Sequence, residues 1–335
     1  MIGVGIVGAG GIGVVHAESY GRLEGVKIVG IADVDAGRGQ KLADQVGARY
    51  YATVSALVAN ADVQAVSICL PHALHAEATI AAAAAGKHVL CEKPIATTLD
   101  DADRMIRACR DAGVKLMIGQ THRFRPEHLE ARRLLDEGTI GQVLFVNDLI
   151  WWAREGDESL QWRGEIAMNG GGIFMDNGVH AADRLRWWLR SEVTSVTARI
   201  GRGRGLIEGE ENGTALLGFA NGATAVLQQA LGTPASASCC YVEFVGTHGV
   251  VRVDTWQGLK ISLRGKPWET VEYPKDGLGG FDLELFEFVS AIRENREPAV
   301  TGEDGRAAFA IIGAIYESAR KRTTVELEPR LVVAS

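Results

Sequence analysis

Asp176 and His180 lie four residues apart in Asp176-Asn177-Gly178-Val179-His180-Ala181-Ala182-Asp183, so on a helix both project from one face. An imidazole near its unperturbed pKa suits proton transfer at neutral pH. A carboxylate on the same face would orient that ring or hydrogen-bond a ligand hydroxyl. Gly170, Gly171 and Gly172 precede the pair and permit close approach to a flat ligand. Elsewhere, Glu92-Lys93-Pro94 delivers an ammonium just past an apolar run, suited to an oxygen that develops negative charge. Such a cation also favours a neutral imidazole nearby. Taken alone, Asp-x-x-x-His on a helix is most often a surface ion pair or cap, and a lysine is most often solvated. The context of these residues decides between the two.

The elements that would position them begin at the N-terminus. Ile2, Val4, Ile6 and Val7 form a buried strand pattern, followed by Gly8-Ala9-Gly10-Gly11-Ile12-Gly13 and a helical pattern through His16 and Tyr20. Strand, Gly-x-Gly-x-x-Gly and helix in this order form a dinucleotide fingerprint, with phosphates received by free N–H groups at the helix start. With 41 glycines in 335 residues, chance matches to the glycines alone follow, and the acid is what sharpens the motif. Lys27–Ala32 reads as a second strand and delivers Asp33, twenty residues after Gly13. A carboxylate there accepts both hydroxyls of an adenosine ribose and repels a 2′-phosphate. NAD is therefore expected, with NADP as the alternative because Arg38 stands within reach of such a phosphate.

The βα alternation continues to Gly119, which predicts a mostly parallel sheet with helices on both faces. Ligands of such sheets lie beyond the carboxyl ends of the strands. Leu70, Pro71, His72, His75, Glu92 and Lys93 all map to that edge and are candidate cofactor contacts. Pro71 is expected to shape the loop under the nicotinamide ribose, whereas His75 has the structural alternative of starting a helix. After His122 the pattern changes to strands joined by short turns such as Asn221-Gly222 and His248-Gly249, which predicts a mainly antiparallel sheet. A long insert, 153–192, separates its first two strands. The expected domains are 1–122, a dinucleotide-binding domain, and 123–335, a substrate-binding and oligomerisation domain. A chain of this length exceeds what one core usually holds.

Hydrophobic content of 47%, charged content of 23% and a net charge of −7 fit a soluble globular protein and exclude any compositional case for nucleic acid or an anionic membrane as partner. Cys69, Cys91, Cys109, Cys239 and Cys240 show no C-x-x-C spacing. The apolar N-terminus lacks a basic flank, and Ala76–Ala85 is too short to span a bilayer. A cytoplasmic protein is expected. His72 and His75 have no ligand cluster beside them in sequence, so no site metal is expected.

Glu92-Lys93-Pro94 together with Asp176-x-x-x-His180 resembles the glucose–fructose oxidoreductase / inositol dehydrogenase (Gfo/Idh/MocA) family of NAD(P)-dependent oxidoreductases. The likeness covers nearly the whole chain. It includes His16 three residues past Gly13, the Pro71…His75 segment, Ala84–Pro94, Gly138-Thr139-Ile140-Gly141, Trp162-Arg163 and Gly170–Asp183. The resemblance implies an α/β chain: an N-terminal Rossmann domain, then a C-terminal α+β domain with a large, open, mostly antiparallel sheet that supports a homodimer or homotetramer. It implies hydride transfer between NAD(P) and a secondary alcohol of a sugar, cyclitol or related polyol, with Lys93, Asp176 and His180 as the catalytic set.

On that basis His180 is the expected base for the hydroxyl proton, Asp176 its orienting partner or a substrate ligand, and Lys93 the cation beside the reacting oxygen. Substrate contacts are expected from Lys93, His122, Arg123, Trp152, Arg154, Trp162, Arg163, Asp176, Asn177 and His180. Indole faces and guanidinium forks suit a ring-shaped polyol. Trp151 and Trp152 alternate across a strand, so one of the two faces the ligand or a partner. Two alternatives stand beside a sugar or inositol dehydrogenase. One is an enzyme that retains NAD and couples transient oxidation to glycoside cleavage or epimerisation. The other is a non-catalytic protein that binds sugar or NAD in regulation.

Overall fold

The computed structural model describes residues 1–153, 160–232, 238–255, 257–273 and 278–328. The chain divides into two compact units, Met1–Phe124 with Gly277–Ala307, and Arg125–Asp276 with Ala308–Ser335.

The first unit alternates strand and helix: β1 (Ile2–Val7), α1 (Gly11–Gly21), β2 (Val26–Ala32), α2 (Ala36–Val46), β3 (Arg49–Tyr51), α3 (Val54–Val58), β4 (Ala65–Ile68), α4 (His75–Ala84), β5 (His88–Glu92), α5 (Leu99–Asp111) and β6 (Leu116–Gly119). The strands pair in parallel in the order β3-β2-β1-β4-β5-β6. All six residues of β1 and all four of β4 are buried, as a strand covered by helices on both faces requires. Helix ends follow local chemistry. Asp35 accepts the Arg38 N–H to start α2, Gly47 closes it in the left-handed conformation, and Thr98 accepts the Asp101 N–H to start α5.

The second unit carries α6 (Pro126–Asp136), β7 (Val143–Trp152), α7 (Ile166–Asn169), α8 (Val179–Leu189), β8 (Val193–Gly201), β9 (Asn212–Phe219), β10 (Thr224–Leu231), β11 (Cys239–Gly246), β12 (Gly249–Asp254), β13 (Gly258–Leu263) and β14 (Glu269–Val271). Then come α9 (Gly280–Arg293), which lies wholly in the first unit, α10 (Gly302–Lys321), and β15 (Val325–Glu326). The nine strands form one open sheet, β14-β13-β12-β11-β7-β10-β9-β8-β15. Every neighbour pair is antiparallel except β7 and β10, which run parallel. Asn221-Gly222 does make the β9–β10 turn: Gly222 takes φ +88°, and the Asn221 side chain accepts the Ala223 N–H.

One face of this sheet buries Val146 and Ile150 of β7, Ala225 and Leu227 of β10, and Val242 and Phe244 of β11. Trp188 of α8 meets Phe244 edge-on at 5.1 Å between ring centroids. The regular alternation of β7 puts Trp152 on the same face as Ile150 and Trp151 on the opposite one. That opposite face leaves Leu216 48% exposed. Among the described residues, no helix is long and apolar enough to cross a membrane.

Candidate active site

In the first unit, the turn after β1 has the backbone that a dinucleotide needs. Gly8 has φ +99°, a conformation that disfavours side chains. A Cβ on Gly13 would stand 1.9 Å from the Gly8 carbonyl oxygen, so only glycine lets α1 begin this close to the strand. Gly10 and Gly11 instead face open space, with nothing within 4 Å of an added Cβ. No side chain caps α1, so its first N–H groups, on Gly11, Ile12 and Gly13, remain available to an anion. These features fit a pyrophosphate.

Asp33 closes the other side of the turn. Its carboxylate accepts the Ala9 N–H at 2.7 Å, the Asp35 N–H at 2.8 Å, and the Arg38 fork at 2.8 and 3.1 Å. Burial opposes its ionisation, but the Arg38 fork and the two backbone donors outweigh it and hold the carboxyl below the usual range. Arg38 is thus paired with the acid that would receive a ribose.

At the carboxyl ends of β4 and β5, His75 is fully buried, with its ring nitrogens 2.9 Å from both the Leu70 and Pro94 carbonyl oxygens. The ring therefore ties the Leu70–Pro71 loop to the segment after Lys93, and burial pushes its pKa down. His72 lies beside it, 5.7 Å between ring centroids. Glu92 turns inward: its Oε1 meets His16 Nε2 at 3.0 Å, and its Oε2 accepts the Lys93 N–H at 3.2 Å. Burial would raise the Glu92 pKa, but the His16 contact and nearby Lys93 bring it below the usual range. Glu284 joins His16 and Glu92, with ligand-type atoms of the three within 4.8 Å of one another, and accepts the Thr121 hydroxyl. Lys93 itself is half-buried at the end of β5. Of the residues at the domain boundary, Arg123 is buried and engaged with the Ala299 carbonyl and the Asp304 carboxylate, while His122 sits in a short 3-10 turn, Thr121–Phe124.

In the second unit, Trp152, Arg163, Asp176 and Asn177 come together with Leu160, Ile207 and Leu231 around a small recess. Arg163 Nε stands 3.5 Å from Asp176 Oδ1 and stacks over Trp162 with its guanidinium carbon 4.4 Å from the ring centroid. Asp176 and His180 do not share a continuous α-helix. Phe174–Gly178 is a π-helical turn that runs into α8, so Asp176 lies in the widened turn and His180 in the α-helix that follows it. Widened turns of this kind recur at functional sites. His180 is 9% exposed. Arg154 lies outside the described residues.

Three acids escape a reading by motif. Asp148 of β7 is wholly buried and holds the equally buried Arg184 of α8 at 2.5 and 2.9 Å, which locks the helix that carries His180 onto the sheet. The signal was a charge at an inward position between Val146 and Ile150. Glu210 and Glu211 have no such signal, because their partners are backbone groups and, for Glu210, the hydroxyl of Tyr316, 106 residues away. Glu210 accepts N–H groups at the start of the π-helical turn. Glu211 accepts those of Gly203, Arg204, Leu206 and Ile207, folding the loop that brings Ile207 to the recess. Its burial is outweighed by these donors, and its carboxyl falls below the usual range.

The parallel sheet with its glycine turn, and the open mixed sheet that follows it, are those of a dinucleotide-dependent oxidoreductase. Residues 2–120 match the oxidoreductase family with an NAD-binding Rossmann fold, and residues 128–252 match the GFO/IDH/MocA C-terminal domain. The chain is 33% identical to 1,5-anhydro-D-fructose reductase of Ensifer adhaerens, across 98% of this chain and 99% of that protein. It is 30% identical to inositol 2-dehydrogenase of Rhizobium meliloti, across 96% and 98%. The crystal structure of aldose-aldose oxidoreductase from Caulobacter crescentus, complexed with glycerol, superposes with a TM-score of 0.89 at 30% identity, covering 97% of this chain and 99% of that one. The chain belongs to the Gfo/Idh/MocA family of NAD(P)-dependent oxidoreductases.

Proposed function

We propose that the protein is an NAD-dependent dehydrogenase that oxidises a secondary alcohol of a sugar, cyclitol or related polyol, or reduces the corresponding ketone. Membership of the Gfo/Idh/MocA family carries this reading, and the grouping of Trp152, Arg163, Asp176 and Asn177 in the second unit supports it, because indole, guanidinium, carboxylate and amide side chains suit a polyhydroxylated ring. The similarity to a reductase of an anhydro-sugar and to an inositol dehydrogenase supports the same substrate class.

NAD, when bound, accepts the hydride from the carbinol carbon. The chain supplies the rest. His180 takes the hydroxyl proton as the carbonyl forms and returns it in the reverse direction. Asp176 orients that imidazole or holds a neighbouring hydroxyl, and Arg163 steadies Asp176. Lys93 supplies positive charge to the oxygen as negative charge develops. Asp33 supports NAD over NADP: it is ionised at neutral pH, a 2′-phosphate would meet its charge, and the Arg38 fork is already committed to it. Assembly as a homodimer or homotetramer is part of this reading; light scattering showing only monomer would remove it.

The test is a panel of inositols, aldoses and anhydro-sugars followed at the reduced-nicotinamide absorbance with NAD and with NADP. Net NADH formation on a member of the panel is expected. Tight NAD binding with no net NADH would overturn it. Cofactor that copurifies and does not exchange would favour the enzyme that retains NAD, a second reading supported by the likeness to an aldose-aldose oxidoreductase.

A further inference from the structure

We infer that Glu210 is a positioning residue for the reaction, setting the turn that carries Asp176 and leads into the helix of His180. This rests on the proposed roles of those two side chains.

Three consecutive backbone N–H groups end on this one residue. Gly172 donates to Glu210 Oε2 at 3.0 Å, Ile173 to the Glu210 carbonyl oxygen at 2.9 Å, and Phe174 to Oε1 at 2.9 Å. The Tyr316 hydroxyl of α10 donates to Oε1 at 2.9 Å and also receives the Gly172 N–H at 3.2 Å. Gly172 in turn accepts the Asp176 N–H at 3.1 Å, so the anchor reaches the functional carboxylate through a single residue.

The approach is too close for any residue but glycine. A Cβ on Gly172 would lie 2.0 Å from the Glu210 carbonyl oxygen and 2.5 Å from its nitrogen. A Cβ on Gly171 would lie 2.2 Å from the Tyr316 hydroxyl. Gly171 and Gly172 therefore serve to bring the chain against an acid, in addition to leaving room for a ligand. A helix start has N–H groups with no intrahelical partner. Here the side chain that satisfies them comes from the beginning of β9's approach, 38 residues away in sequence. A carboxylate can accept all these donors at once, whereas the isosteric amide must turn an NH2 group toward one of them. Glu210→Gln therefore releases one end of the turn without changing its volume.

The experiment compares Glu210→Gln, Tyr316→Phe, Ser318→Ala and His180→Asn in the full chain, measuring kcat, KM, NAD affinity and Tm. Ser318 is a matched structural control, since it accepts the Ala198 N–H and donates to the Thr323 carbonyl, away from the turn. Glu210→Gln is expected to lower kcat by about 30- to 100-fold, in the range of a displaced catalytic group, with NAD affinity retained and Tm lowered no more than by Ser318→Ala. Tyr316→Phe, which keeps both carboxylate contacts to backbone, is expected to lower kcat several-fold in the same direction. A kcat loss in Glu210→Gln no larger than in Ser318→Ala, or a loss confined to NAD affinity, overturns the inference. If Glu210→Gln does not fold, an unchanged kcat in Tyr316→Phe overturns it and a fall with retained NAD affinity supports it. If His180→Asn keeps wild-type turnover, the assignment of the base fails; if it loses turnover while Glu210→Gln does not, the positioning role alone fails.

Discussion

Asp33 and Glu210 do the same mechanical task in the two units and solve its electrostatics in opposite ways. Each is a buried carboxylate that accepts backbone N–H groups from a glycine-rich turn. Asp33 is also gripped by the Arg38 guanidinium, and its pKa falls below the usual range despite burial. Glu210 has a phenol in place of the cation, and burial wins over its hydrogen bonds to push its pKa up. The turn assigned to cofactor is thus held by a compensated charge, and the turn assigned to substrate chemistry by an uncompensated one. At Glu210 two backbone donors and a phenol do not offset burial, whereas neighbouring Glu211, with four backbone donors and no cation, falls below the usual range.

The largest effect should separate the two turns by task. His180→Asn is expected to reduce kcat by about 10²- to 10⁴-fold, while fluorescence titration shows NAD affinity unchanged, and Lys93→Met should lower kcat over the same range. Parallel loss of NAD affinity in His180→Asn would end the division of labour. Asp33→Ala should give the complementary result, weakening NAD about 10- to 100-fold by calorimetry, as expected for lost charge-assisted hydrogen bonds, with kcat at saturating NAD nearly preserved.

A smaller effect tests the opposite pKa directions through urea unfolding across pH. Because the Asp33 pKa is depressed on folding, its contribution to stability is present above its unfolded pKa and is lost as pH falls through the folded one. Because the Glu210 pKa is raised, its contribution is full below its unfolded pKa and is lost as pH rises through the folded one. The stability gap between wild type and Asp33→Asn should therefore close toward acid, and that between wild type and Glu210→Gln should close as pH rises above the ordinary carboxylate range. Gaps moving in the same direction would contradict the contrast. The smallest expected effect is Arg38→Ala, which leaves Asp33 uncompensated and should raise the NAD:NADP ratio of kcat/KM a few-fold, to be read from initial rates.

The first unit was legible because its signals are local. Gly8 needs a positive φ, Gly13 a close approach, and Asp33 follows directly from the end of β2. The Asp176–His180 pair was visible as a spacing, but the π-helical turn between them was not, since it depends on how Gly172–Phe174 are held by a distant acid. Glu210 and Glu211 resemble an ordinary polar pair before β9 because backbone N–H groups leave no trace in the residue types of their partners. Likewise α9 is a plain amphipathic helix near the C-terminus, and nothing in its own sequence says that it belongs to the first unit. The choice between Trp151 and Trp152 needed the register of β7 against β11, which alternation alone does not supply.

The parallel pairing of β7 with β10 also bears on how the protein is made. β7 is a long, apolar segment, and both of its ladder partners, β10 and β11, come later in the chain, after α8 and the β8–β9 pair. During synthesis this strand emerges from the ribosome well before either edge can be covered. Long-range pairing of this kind is slow, and an unpaired apolar edge invites association with other chains. In pulse-labelled nascent chains, chaperone binding should concentrate between completion of Trp152 and emergence of Gly246, and fade once both neighbours have zipped onto the waiting strand.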